Sequence, residues 1–135
     1  MQSIDGQCHC GRVTYRATID PARVSICHCT DCQSLTGSPF RVTVLCSRAQ
    51  IEMTGAQPET YAKTGESGAT RIQHFCATCG TPLFTSGNSS AQDDWGIRWG
   101  SIRQRRELKP SRQIWCRSAV PWLDEISVLP ARAKD

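Results

Sequence analysis

The sequence predicts a mainly β protein built from short strands, and three observations carry that expectation. Apolar residues alternate with polar ones at period two, turn residues recur at short intervals between apolar runs, and no stretch sustains a helical period. At 135 residues the chain is expected to form one domain, residues 1–135, because single cores commonly reach this size. Hydrophobic residues make up 39% and charged residues 21%, so the core is modest and bound metal would help to hold it.

Val13, Tyr15, Ala17 and Ile19 alternate with Arg12, Thr14, Arg16 and Thr18, the pattern of a half-buried strand. Val24–Ile26 is a second, shorter strand. Thr30 is placed to cap a short helical turn through Gln33 and Leu35, ended by Gly37 with Pro39 beyond. Phe40–Cys46 is apolar and β-branched, Ile51–Met53 is a short strand closing at Gly55, and Glu59–Lys63 leads into the loop Thr64–Gly68. Thr70–Phe75 and Leu83–Thr85 flank a cysteine pair, which predicts a hairpin with that pair at its tip. Asn88–Asp94 reads as a polar loop, and Trp95–Ile102 resumes an apolar pattern interrupted by Gly96 and Gly100. Ile114, Trp115, Pro121, Trp122 and Leu123 suggest a final strand and a docking segment.

Seven of the nine cysteines fall in three clusters: Cys8-His-Cys10-Gly, Cys27-His-Cys29-Thr-Asp-Cys32 and Cys76-Ala-Thr-Cys79-Gly. The opening residues lack a basic stretch followed by an apolar run, and no apolar segment is long enough to span a bilayer, so a cytoplasmic, non-membrane protein is expected. In that compartment close-set cysteines read as metal ligands rather than disulfides. Glycine follows Cys10 and Cys79, where it permits a tight turn whose N–H groups point at sulfur. Cys8, Cys10, Cys76 and Cys79 are therefore read as one closed tetrathiolate zinc site with a structural role. Two disulfides, buried thiols or an iron–sulfur cluster are the alternatives, although a C-x-C disulfide closes a small, strained ring.

The middle cluster has no such glycine. Three thiolates around Zn²⁺ leave one tetrahedral position for water or substrate, so Cys27, Cys29 and Cys32 are the candidate catalytic zinc site. A fourth ligand from His28, His74 or Cys46 would close it, and a metal-free set of buried thiols is the other alternative. Two zinc ions are expected, with partial occupancy reserved for the three-cysteine site. His9 and His28 lie between ligands, where neighbouring side chains diverge, and are expected beside the metal or at the surface. Asp31 reads as an exposed turn carboxylate, and Cys46 and Cys116 as inert buried thiols.

The formal net charge is +4 with neutral thiols; seven zinc-bound thiolates and two Zn²⁺ lower it to about +1. That weakens a nucleic-acid reading. Arg103-Gln-Arg-Arg106 with Lys109 is the one basic run, and it supports the alternative of a non-catalytic, zinc-scaffolded module for nucleic acid or an acidic protein partner. A thiol-based sensor that releases metal on oxidation is a third class. Arg41, Arg71, Arg98 and Arg103 could pair with substrate carboxylates, but solvated arginines are commonplace and the sequence assigns none of them.

The ordered set Cys8–Gly11, Cys27–Gln33 (C-H-C-x-x-C-Q) and Phe75–Leu83 (F-C-x-x-C-G-x-x-L) resembles the glutathione-dependent formaldehyde-activating enzyme family. Val13-x-Tyr15, Gly37 and Trp122-Leu123 extend the match over most of the chain. The resemblance implies an Mss4-like fold, a zinc-stabilised tent of small antiparallel sheets with short helical turns. It assigns Cys8, Cys10, Cys76 and Cys79 to structural zinc, and Cys27, Cys29 and Cys32 to catalytic zinc. It also implies addition of glutathione to formaldehyde to give S-hydroxymethylglutathione, a carbon–sulfur lyase reaction in reverse. The implied partners are a small thiol such as glutathione and a small aldehyde; nucleic acid is disfavoured, and no oligomeric state is assigned.

Overall fold

A computed structural model of the chain describes residues 1–87 and 94–135. Ten strands and one helix follow in the order β1 (Gln2–Gln7), β2 (Thr14–Ile19), β3 (Val24–Cys27), α1 (Thr30–Thr36), β4 (Arg41–Ser47), β5 (Ile51–Met53), β6 (Glu59–Thr64), β7 (Thr70–Phe75), β8 (Pro82–Gly87), β9 (Asp94–Arg98) and β10 (Arg112–Ile114). Short 3-10 turns complete the described residues. The mainly β expectation holds. The predicted loop Asn88–Asp94 lies outside the described residues except for Asp94, which opens β9.

The strands form two sheets, β1-β2-β5 and β10-β3-β4-β9-β8-β7-β6. All pairings are antiparallel except β10 with β3, so the larger sheet is mixed. That pairing needs a long connection between its strands, which is why alternation along the chain does not announce it.

One apolar cluster is shared by the two sheets. Val13, Tyr15, Ala17 and Ile19 are all buried, as their alternation predicts, and they join Val44, Cys46, Leu83, Phe84 and Ile97. Tyr15 meets Phe84 edge-on with ring centroids 4.9 Å apart, and its hydroxyl lies 2.7 Å from Ser101 Oγ. Burial raises the Tyr15 pKa, so the group stays a neutral phenol.

Strand β1 is not legible in the sequence, because its two inward positions are Ile4 and Gly6 and the rest are polar. Gly6 stands directly opposite Tyr15 in the ladder. The bare glycine leaves room for the phenol ring and the Ser101 carbonyl, both of which a Cβ would overlap. The helix begins one residue earlier than expected: Cys29, not Thr30, is the N-cap, its sulfur accepting the Cys32 N–H. Gly37 ends the helix as predicted, at φ 64° with its N–H on the Gln33 carbonyl.

At the other end, Trp115 leaves β10 in the left-handed region at φ 56°. Cys116 is consequently exposed rather than buried, whereas Cys46 lies in the core. The expected docking segment forms a 3-10 turn, Leu123–Val128, in which Asp124 and Glu125 interrupt the apolar residues; Trp122 and Ile126 remain about half exposed. No helix among the described residues is long and apolar enough to cross a membrane.

Gly6→Ala should destabilise the fold by about 1–3 kcal/mol through overpacking against Tyr15. Gly100→Ala, where a Cβ meets nothing within 4 Å, should stay within about 0.5 kcal/mol of the parent. Thermal denaturation of the two variants side by side checks this, and equal melting temperatures would contradict the packing described.

Candidate metal centres

The first and third cysteine clusters occupy the β1–β2 and β7–β8 connections, one in each sheet. Each is a tight knuckle. In the first, Cys8 N–H bonds the Val13 carbonyl and Gly11 N–H the Cys8 carbonyl; in the second, Cys76 N–H bonds the Thr81 carbonyl and Gly80 N–H the Cys76 carbonyl. Gly11 and Gly80 adopt φ 82° and 77°, conformations that glycine takes without steric cost. The backbone then aims N–H groups at sulfur, Val13 N–H at Cys8 Sγ (3.3 Å) and Cys79 N–H at Cys76 Sγ (3.5 Å).

The two knuckles bring four sulfurs together, all within 4.8 Å of one another. Cys8 Sγ is 3.5 Å from Cys10 Sγ, and Cys10 Sγ is 3.7 Å from Cys76 Sγ. Four thiolates at about 2.3 Å from a tetrahedral Zn²⁺ would stand about 3.8 Å apart, so the donor set fits that ion. All nine cysteines are unbridged. Cys8 and Cys76 are buried while Cys10 and Cys79 face solvent. The Thr81 hydroxyl, 3.2 Å from Cys79 Sγ, together with the N–H groups of Thr81 and Cys10, pulls the Cys79 pKa down to about 5. Thr81 also accepts the His9 N–H, so one threonine links both knuckles. The sequence reading missed it.

The second cluster spans the end of β3 and the start of α1. Its three sulfurs also lie within 4.8 Å of one another, and among the described residues no fourth His, Cys, Asp or Glu joins the group. His28, His74 and Cys46, the possible fourth ligands, all stand outside this group, Cys46 in the apolar core. His28 is buried, with Nε2 2.7 Å from Gln113 Oε1. His74 lies against Trp95 and 2.9 Å from Ser86 Oγ. Each of Cys27, Cys29 and Cys32 is partly exposed. Cys32 donates to Cys27, which lowers the Cys27 pKa and, with burial, raises that of Cys32.

Gln33 fixes the cluster to its surroundings, its amide donating to the His28 carbonyl (2.9 Å) and the Ser118 carbonyl (3.0 Å). Asp31 is exposed, as expected, and pairs with Lys63 at 3.0 Å. Arg41 stands directly opposite Cys27 in the β3–β4 ladder. Burial lowers the Arg41 pKa, and the charges of Cys32, Cys29 and Cys27 oppose that shift. Burial and the like charge of Arg41 push Arg98 down to about 9. A cavity of about 800 Å³ lies beside these arginines, lined by Arg41, Arg98, Arg103 and Arg105 among others.

The family model for the glutathione-dependent formaldehyde-activating enzyme matches residues 3–118, a span that holds every cysteine of both clusters. The chain belongs to this family. Among its relatives is a Schizosaccharomyces pombe protein named an uncharacterized lyase, 32% identical over 85 residues. That match covers 62% of the present family member and 58% of the relative, less than two thirds of the latter's length. A crystal structure of a Rhodobacter sphaeroides protein superposes with a TM-score of 0.61 at 17% identity, covering 81% of this chain and 98% of that one. It shares the fold.

If the two sulfur groups are separate centres, their variants must behave differently. Cys29→Ser should lose about one of about two bound zinc ions while its circular dichroism and melting curve stay near the parent's. Cys76→Ser should lose the knuckle metal and with it several kcal/mol of stability, because metal affinity at a structural site is folding energy. Metal analysis of both purified variants decides the matter, and identical losses would contradict the division.

Proposed function

We propose that this family member is a zinc-dependent carbon–sulfur lyase-type enzyme acting on adducts of glutathione or a similar thiol with formaldehyde or another small aldehyde. The observation that carries the reading is the three-sulfur cluster, partly exposed and without a fourth ligand among the described residues, in contrast to the four-sulfur group. In this proposal Cys8, Cys10, Cys76 and Cys79 hold a structural zinc, and Cys27, Cys29 and Cys32 hold the catalytic one. Zinc bound by three cysteines supplies an open position that can polarise an oxygen or grip a thiolate.

The remaining work falls to the protein's own residues. Cys29 is both a cluster member and the α1 cap, so the position of its sulfur is tied to the helix start. Gln33 and the buried His28 hold the two sides of the cluster against β10 and the segment that follows it. The guanidinium of Arg41, on the same face as Cys27, opposes the upward shift that Cys27 and burial impose on the Cys32 thiol. In the addition direction an S–C bond forms as the thiol proton passes to the former carbonyl oxygen; cleavage reverses both transfers. We place both clusters in one domain, residues 1–135, and the unbridged thiols suit a reducing cytoplasm.

The alternative of a binding module receives less support. Two cations of the basic run are engaged internally, Arg103 with Asp5 and Arg105 with the Ile102 carbonyl. The enzyme reading is tested by exchange NMR of glutathione and formaldehyde with zinc-loaded protein. Adduct formation should run faster than the uncatalysed exchange, and Cys29→Ser should reduce the enhancement at least about a hundredfold. Exchange at the uncatalysed rate with fully loaded parent protein would sink the proposal.

A further inference from the structure

The larger sheet carries a buried cationic network that the reaction above leaves unexplained. Cys27 and Arg41 are directly opposed across β3 and β4, Thr43 and Arg98 across β4 and β9, and Gln73 and Thr85 across β7 and β8. Directly paired residues share a face, and positions two apart along a strand do too. Thr85 faces Gly96, two residues before Arg98. All these side chains therefore rise from one face, in line with Cys27.

On that face Arg41 Nη1 and Arg98 Nη2 both donate to a single acceptor, Gln73 Oε1, at 3.0 and 2.6 Å. Arg98 Nη1 donates to Thr43 Oγ1 at 2.8 Å, and Gln73 Nε2 to Thr85 Oγ1 at 3.4 Å. Arg41 reaches Gln73 across β9 and β8, three strand spacings of about 4.8 Å each. Gly96 suits that crowding, since a Cβ there would come 2.5 Å from the Thr43 methyl and 2.8 Å from that of Thr85.

Arg41 and Arg98 are 6% and 8% exposed, and among the described residues neither has a carboxylate partner. The Arg98 Nε–H is buried with no acceptor at all. Two buried guanidiniums converging on one neutral amide are costly unless anions balance them. Three thiolates and one Zn²⁺ at the neighbouring cluster would sum to −1 against the +2 of Arg41 and Arg98, and the nearby Arg71 adds to that excess of positive charge, which a bound anion would offset. Both arginines also line the 800 Å³ cavity, which reaches Cys8 of the four-sulfur group but none of Cys27, Cys29 and Cys32, so the arginines themselves are its link to the three-sulfur cluster; its one carboxylate among the described residues, Asp5, is already held by Arg103. That volume falls within the range of small-molecule sites.

We infer that Arg41 and Arg98, joined through Gln73, bind a carboxylate of the substrate beside the Cys27–Cys29–Cys32 cluster, so that the thiol handled there is a carboxylate-bearing one. The inference rests on the zinc reading of that cluster. A guanidinium fork donates two parallel N–H bonds to a planar carboxylate, a match in shape that a tetrahedral phosphate does not give.

The test uses 3-(methylthio)propionate, which carries the carboxylate but no thiol, and its primary amide. Protein-observed NMR of the zinc-loaded chain should show the acid binding at least about tenfold more tightly than the amide. That preference should vanish in Arg41→Gln and in Arg98→Lys, the second variant keeping the charge while losing the fork. Melting curves identify any variant that fails to fold, and either variant that folds is sufficient. Arg103→Gln, at the exposed rim of the cavity, should keep the preference. Equal binding of acid and amide, a preference that survives in either folded variant, loss in Arg103→Gln, or tighter binding of inorganic phosphate than of the acid would each overturn the inference. Carboxylate binding without glutathione–formaldehyde turnover would sink the reaction and leave this subsite standing. Turnover with equal rates for 3-mercaptopropionate and its amide would do the reverse.

Discussion

The convergence of two sulfur knuckles is the constraint on which the rest of the molecule depends. Cys8 and Cys10 leave the small sheet, Cys76 and Cys79 leave the large one, and their sulfurs meet within 4.8 Å. Bringing together two hairpins so far apart in sequence closes a long loop, a cost in chain entropy that grows slowly with loop length and that the contacts at the knuckles must offset. Apolar packing helps, but the shared cluster around Tyr15 and Phe84 is modest for a chain of this length. Local geometry makes the convergence possible: two glycines at positive φ turn the backbone so that N–H groups face sulfur instead of solvent.

The second cluster is built on a different economy of forces. Its backbone is fixed by a helix cap on the Cys29 sulfur, by the amide of Gln33 and by a buried histidine rather than by glycine knuckles. These contacts orient the cluster without enclosing it, which is why all three thiols keep some exposure. Beside it the sheet buries two arginines, and the nearness of Cys27 and Cys32 opposes the fall that burial imposes on both arginine pKa values. Neither group would be at ease in that environment alone. The larger sheet thus serves as scaffold and as electrostatic surface: its inner face is apolar, while the face bearing Cys27 carries Arg41, Thr43, Arg98, Thr85 and Gln73.

Much of this was legible in the chain. The alternation from Val13 to Ile19, the strand after Phe40, the hairpin around Cys76 and the helix ended by Gly37 are all present near their expected places, because each is dictated by residues within a few positions. The grouping of the cysteines into four and three was also readable, since glycine marks the knuckles that can turn tightly. Strand β1 was not, because a glycine stands where an apolar side chain would have signalled the inward face. Cys116 was misread because a left-handed Trp115 turns the chain outward, a backbone choice that residue type alone does not reveal. Trp122 was expected to dock and instead stays half exposed.

By itself, then, the amino-acid sequence determined the mainly β character, the tight turns and the division of seven cysteines into two sulfur groups, all of which follow from local spacing and backbone preference. The tertiary structure alone decided which arginines are buried and which face they share. Arg41, Arg71, Arg98 and Arg103 are indistinguishable as letters, yet strand pairing buries Arg41 and Arg98 on the face of Cys27 and leaves Arg103 at the surface. The reason is that burial and charge proximity are properties of register between strands distant in sequence, and one residue of slip would have sent those guanidiniums to the opposite face.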